Sequence, residues 1–123
     1  MRAILDWEIC TLGDPLADLG LLMVYWADQT DAAAVLGLSA TTAPGFASRA
    51  EVRAHYAAVS DLDISSIDYY VAFGYWKLAC ILQGVFARYA AGAGAGDQGS
   101  TEGFPAQIGH LFEMAATALE AAP

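Results

Sequence analysis

Four carboxylates, Asp6, Glu8, Asp14 and Asp18, fall within ILDWEICTLGDPLADLG, residues 4–20, a run that is otherwise almost wholly apolar. Asp6 follows RAIL, a short apolar run predicted to form a strand leading into a turn, and Glu8 stands two residues on. In extended chain, residues i and i+2 project to the same side. The pair therefore offers two hard oxygen ligands together, a donor set that suits Mg²⁺, which takes one or two carboxylates alongside substrate phosphates and water. Two exposed acids at a strand end would have the same spacing, and spacing alone does not choose. Asp18 lies among Leu16, Ala17, Leu19, Leu21 and Leu22. Buried there it would need several hydrogen bonds, as a structural anchor accepting backbone N–H groups from a neighbouring loop. The alternative is a first-turn acid favoured by the helix dipole.

The elements that must position these acids are mostly helical. Asp14 can cap free backbone N–H groups and Pro15 suits the first helical position, so a helix opens there, with Leu16, Leu19, Met23 and Trp26 at helical spacing. Residues 31–47, including TTAPGF, form a long loop with room for one helical turn near AAAVLG. Ser48 and Glu51 make a capping box that opens a second helix, which carries Val52, Tyr56 and Val59. SSID opens a third, with Asp68 near its positive end. Ile67, Val71, Gly74, Leu78, Ile81 and Val85 mark one face of it, and Tyr69, Phe73 and Trp76 make the other side apolar too. This helix is expected to be central and buried on most sides. AAGAGAGDQGSTEG is a flexible connection. It follows a helix and lacks the strand and the G-K-[ST] lysine that a phosphate loop needs. A last helix places Ile108, Leu111, Phe112, Ala115 and Leu119 on one face. The expected chain is mainly α, a short N-terminal strand pair plus about four helices. Its parts are a strand and turn over 1–12, a helical core over 13–91, a glycine-rich loop over 92–103 and a terminal helix over 104–123.

The composition narrows the partners. The 123 residues are 57% apolar and only 15% charged, more apolar surface than a small monomer easily hides. Surface for another domain or a second copy is the expectation. A net charge of −9, with Arg2, Arg49, Arg53, Lys77 and Arg88 scattered, argues against nucleic acid. Lys77 and Gln83 interrupt the longest apolar run, which marks a core helix and not a membrane span. Cys10 and Cys80 form no C-x-x-C and are expected in the core of a reduced, cytoplasmic protein. Asp6 comes too soon for a signal peptide.

The segment ILDWEICTLGDPLADLG resembles the metal-binding segment of the aminoglycoside phosphotransferase-like kinases, relatives of choline kinases with a protein-kinase-like fold. The likeness continues, more softly, through TTAPGFASRAEVRAHYAA to YWKLACILQGVFARYAAG. The combination D-W-E, a five-residue gap and D-P-x-x-D-L carries most of it. The resemblance implies the helical C-lobe of an α+β kinase fold, ATP and Mg²⁺ as cofactors, and a small-molecule hydroxyl as acceptor. It implies that Asp6 holds Mg²⁺ against the nucleotide phosphates, as the aspartate of D-F-G does, with Glu8 as an accessory ligand. It gives Asp18 the role of fixing the catalytic loop from below and leaves Asp14 and Pro15 as the cap.

The departures are as informative. These kinases carry an H-G-D-x-x-x-x-N loop before the metal acid, and an N-terminal lobe with a lysine and a phosphate-covering loop. Five residues precede Asp6, and His55 and His110 lie downstream. The chain is expected to be a C-terminal piece without a catalytic base, inactive alone, that meets a missing lobe or self-associates through apolar faces. The acceptor is open among aminoglycoside, choline-like, sugar and acyl-thioester hydroxyls. A non-catalytic helical interaction module and a helical small-molecule binder are the rival readings.

Overall fold

Pro15 has no amide hydrogen to leave unbonded, and helix α1 (Pro15–Tyr25) begins on it, with Asp14 as its N-cap. The computed structural model describes residue 3 and residues 10–31, 39–93 and 101–122. Three further α-helices follow: α2 (Arg49–Val59), α3 (Ile67–Ala90) and α4 (Phe104–Glu120), with a 3₁₀ turn at Ala40–Thr42. No strand occurs among the described residues. The strand pair expected over residues 1–12 and the helical turn near AAAVLG lie outside them, residues 3 and 10–12 excepted.

Each helix starts or stops where its local chemistry dictates. The Ser48 hydroxyl accepts from Glu51 N–H at 3.2 Å while the Glu51 carboxylate accepts from Ser48 N–H at 2.7 Å, a reciprocal box that opens α2. Just past its C-cap Ala91, helix α3 is closed off by Gly92, whose φ of 76° a side chain would disfavour. There Gly92 N–H bonds Tyr89 O and Ala93 N–H bonds Arg88 O, each at 3.0 Å, so the last carbonyls are satisfied by a Schellman turn.

Helix α3 is the spine. Leu16, Leu19 and Met23 of α1 pack with Ile67, and Val52 and Tyr56 of α2 lie against them. Further along, Val24 of α1 and Tyr75, Leu78 and Ala79 of α3 close over Ile108 and Leu111 of α4. Each fully buried Leu or Ile removes enough apolar surface from water to contribute about 1.5–3 kcal/mol. The α1–α3 crossing is close because Gly20 has no side chain. A Cβ there would stand 2.5 Å from the backbone carbonyl carbon of Tyr70.

Several expected faces are shifted. Tyr69, Phe73 and Trp76 of α3 are exposed, because they flank the core-facing arc and, with Phe112 and Leu119 of α4, line an open groove. Ile81 is 48% exposed, and Ala72, Tyr75 and Ala79 take up the buried arc. On α4, Phe112 and Leu119 are exposed while Met114 and Ala118 pack inward, and on α2 Val59 is exposed. Cys10 and Cys80, expected in the core, are both exposed. Helix α3 is also long and apolar enough to cross a membrane, yet Ile67, Tyr75, Leu78 and Ala79 are core residues.

Candidate functional site

Asp6 and Glu8, the residues assigned to the metal, lie outside the described residues. Among the described residues no cluster of three or more His, Cys, Asp or Glu side chains is placed to hold a metal ion. What the structure does show is how the end of their segment is tied down. Residues 11–15 are exposed, so burial does not fix them. Both oxygens of Asp14 are used instead. Oδ1 accepts from Leu16 N–H at 2.9 Å and Oδ2 accepts from the Tyr70 hydroxyl at 2.5 Å, across 56 positions of sequence. The carboxylate thus caps α1 and holds it to α3. Tyr70 is also the residue whose backbone Gly20 allows close.

The Tyr70 hydroxyl, then the Leu16 amide, hold the Asp14 carboxyl below its ordinary range, and the same bond raises the Tyr70 phenol. The sign follows from linkage. Asp14 contributes stability that is fully present above the unfolded carboxylate pKa and is lost as pH falls through its depressed folded value. Tyr70 contributes stability present below the ordinary phenol value and lost as pH rises through its raised one. Asp14→Asn is therefore expected to lower the midpoint of urea unfolding at neutral pH, with the gap to wild type closing on acidification. A gap that stays constant down to strong acid would contradict the assignment.

Asp18 is exposed, so the leucines beside it in sequence do not bury it. Its position on α1 is opposite the arc formed by Leu16, Leu19, Gly20, Met23 and Val24, which faces the core. It shares the outer side with Leu22 and Tyr25, each 44% exposed. It is a first-turn acid of α1.

The loops after α1 form a polar lattice. Trp26 Nε1–H donates to Ala47 O at 2.8 Å, and the Thr41 hydroxyl both donates to Ala27 O and accepts from Ala27 N–H at 2.9 Å. Arg49 donates from its backbone to Asp28 Oδ1 at 2.8 Å, from Nε to Trp26 O at 2.5 Å, and from a terminal nitrogen to Asp31. Arg53 forks onto Asp68 at 2.9 and 3.3 Å, joining α2 to α3. Between these groups and the α1–α3 seam lies a cleft of about 340 Å³. Tyr75 is on its wall. Burial raises the Tyr75 phenol, and the nearby charges of Arg49 and Asp31 pull it down and up respectively. Sequence reasoning missed Tyr70, Arg49 and Tyr75. The capping pattern at Asp14 was visible, but the partner on its second oxygen is a tertiary fact.

Comparison with known proteins agrees with the N-terminal motif. Residues 1–55 match the phosphotransferase enzyme family. The chain is 32% identical over 96 residues to acyl-CoA dehydrogenase family member 11 of Gallus gallus, an alignment covering 73% of this chain and 12% of that protein. The Homo sapiens family member 11 is 29% identical over 92 residues, with the same coverages of 73% and 12%. Acyl-CoA dehydrogenase family member 10 of Mus musculus is 33% identical over 95 residues, 73% of this chain and 9% of that protein. The chain thus spans about 12% or less of the length of these relatives. No solved structure matches it.

Proposed function

We propose, from the match of residues 1–55 to the phosphotransferase enzyme family, that the chain is the metal-binding and acceptor-binding part of an ATP-dependent phosphotransferase. The reaction is transfer of the γ-phosphoryl group to a small-molecule hydroxyl. The observation that carries this reading is the D-W-E…D-P-x-x-D-L segment inside the matched residues. Asp6 and Glu8 supply hard carboxylate oxygens of the kind Mg²⁺ takes together with phosphate oxygens. Bound by them, the ion would offset the charge that spreads over the transferred phosphoryl oxygens. Asp14 holds the end of this segment on α1 and α3, and the outer side of α1 with Asp18, Leu22 and Tyr25 is where a catalytic loop would seat. The helices that follow line the acceptor side.

The 123 residues contain no H-G-D-x-x-x-x-N run. On this reading, the base that takes the hydroxyl proton and the groups that hold the triphosphate come from another stretch of polypeptide. Positioning and charge stabilisation carry most of phosphoryl transfer, so these residues alone should show no turnover. The names of the relatives associate such a segment with acyl-CoA chemistry, which favours a hydroxyl on an acyl thioester among the candidate acceptors.

The test is reconstitution. The chain is combined with a polypeptide carrying the base loop and nucleotide lobe of the family, and label transfer from γ-labelled ATP to hydroxyacyl thioesters and other alcohols is measured. Asp6→Asn is expected to abolish transfer while leaving helix content unchanged. Full activity in that variant would overturn the metal assignment, and normal kinase turnover by the chain alone would overturn the division of labour. One observation favours the rival interaction module, the exposed apolar groove of about 300 Å³ between Phe73 and Trp76 of α3 and Phe112 of α4. That reading predicts no transfer with any lobe supplied.

A further inference from the structure

Tyr69, Phe73 and Trp76 of α3 and Phe112 and Leu119 of α4 are the large side chains of one open groove of about 300 Å³. They are between 39% and 54% exposed, and no charged side chain lines the groove. Phe73 and Trp76 stack on each other with ring centroids 5.8 Å apart, so this wall is set before anything binds. No residue of α1, whose outer side would seat the catalytic loop, lines it.

The two edges of the groove carry opposite charges. Lys77 is exposed directly after Trp76, and Glu113 is exposed directly after Phe112. One step along a helix turns by about 100°, which carries each of these toward the outer edge of its own helix. Helices α3 and α4 run antiparallel, with Phe86 stacked on Phe104 at one end and Tyr69 sharing the groove with Leu119 at the other. Counted in from those ends, positions 77 and 113 stand at the same level, one on each side of the groove. Among the described residues Lys77 pairs with no acid, and Glu113 has only His110, at 3.8 Å.

Such a face is complementary to itself. Half a turn about an axis along the groove lays α3 of each copy on α4 of the other, apolar face on apolar face. The same rotation brings Lys77 of each copy to the side and level of Glu113 of the partner copy, so two opposite-charge pairs close the rim. The exposed parts of the five groove side chains come to about 500 Å² per copy, from roughly 200 Å² for a whole aromatic. With its rim, that approaches the roughly 600 Å² per side at the lower end of specific interfaces. The net charge of −9 on each copy opposes association, but at physiological salt charges more than about 8 Å apart are largely screened. We propose that this groove is a two-fold interface with a second copy of the chain, sealed by reciprocal Lys77–Glu113 pairs.

The test is sedimentation velocity of the 123-residue chain at physiological salt. A single monomer–dimer equilibrium that shifts over the micromolar range is expected for an interface this small. Trp76→Glu puts a charge into the groove at a half-exposed position, and should weaken the dimer about thirtyfold or more with helix content unchanged. Lys77→Glu and Glu113→Lys should each weaken it about tenfold, because each sets like charges opposite one another twice. An equimolar mixture of these two variants restores both pairs and should dimerise as the wild type does. That rescue separates a two-fold contact from indiscriminate association. A chain that stays monomeric to millimolar concentration would overturn the proposal. So would a dimer indifferent to Trp76→Glu, or a mixture of the charge variants no tighter than either alone. A monomer that takes up the family's nucleotide lobe through Trp76 would also overturn it, by assigning the groove to that lobe.

Discussion

Gly20→Ala is expected to destabilise the chain markedly, although alanine in place of glycine stabilises an isolated helix by about 1 kcal/mol. The added Cβ would lie 2.5 Å from both the carbonyl carbon and the oxygen of Tyr70. Those atoms belong to the backbone of α3 and cannot rotate aside. The helices must separate, which opens the seam lined by Leu16, Leu19 and Ile67 and moves Tyr70 relative to Asp14. Overpacking of this kind typically costs about 1–3 kcal/mol or more. A fall of roughly 5–10 °C in melting temperature is the expected outcome in a domain of this size. Two controls set the sign. Gly74→Ala meets the buried Val24 side chain at 3.0 Å and backbone only at 3.4 Å, and should cost less than the 2.5 Å backbone clash at position 20. Gly84→Ala meets nothing within 4 Å and should stabilise. Equal effects at positions 20 and 84 would show that α1 and α3 do not approach this closely.

Leu111→Ala is expected to produce a loss of about 2–5 kcal/mol, the range for a fully buried leucine in a core that cannot collapse around the gap. Leu111 has no exposure, and beside Ile108 it is the contact that seats α4 on Tyr75, Leu78 and Ala79. Helix α4 packs against α3 and makes no comparable contact with α1 or α2 among the described residues. The loss should therefore concentrate in α4. Amide exchange in residues 104–120 should accelerate more than in α1, and the urea midpoint should fall. Phe112→Ala, next in sequence but 44% exposed, should do much less. Equal destabilisation by the two variants would mean that α4 is rotated about its axis, with Phe112 also turned toward α3.

Much of the helical frame was legible because it is written in local chemistry. Asp14 and Pro15 open α1, and the Ser48–Glu51 box opens α2, because caps are made by residues within three positions of each other. The glycine-rich break after α3 was legible for the same reason: Gly92 takes a backbone angle that other residues avoid. The family was legible too, since the D-W-E…D-P-x-x-D-L spacing is linear and lies within the residues matched.

Which side of each helix faces inward was decided elsewhere. In α3 nearly every position is apolar, so periodicity marks no single stripe, and the direction from which α1 and α4 approach selects Tyr75 and Ala79 over Ile81. Asp18 shows the same limit, for α1 turns Leu16 and Leu19 inward while Asp18 and Leu22 stay on its outer side. The sequence by itself determined where the helices begin and end and which family the N-terminal residues match, because those properties depend on neighbours along the chain. Only the tertiary structure decided that Gly20 sits on the Tyr70 backbone and that Tyr70 bonds Asp14. Those pairings join residues up to 56 positions apart, and no local preference encodes them.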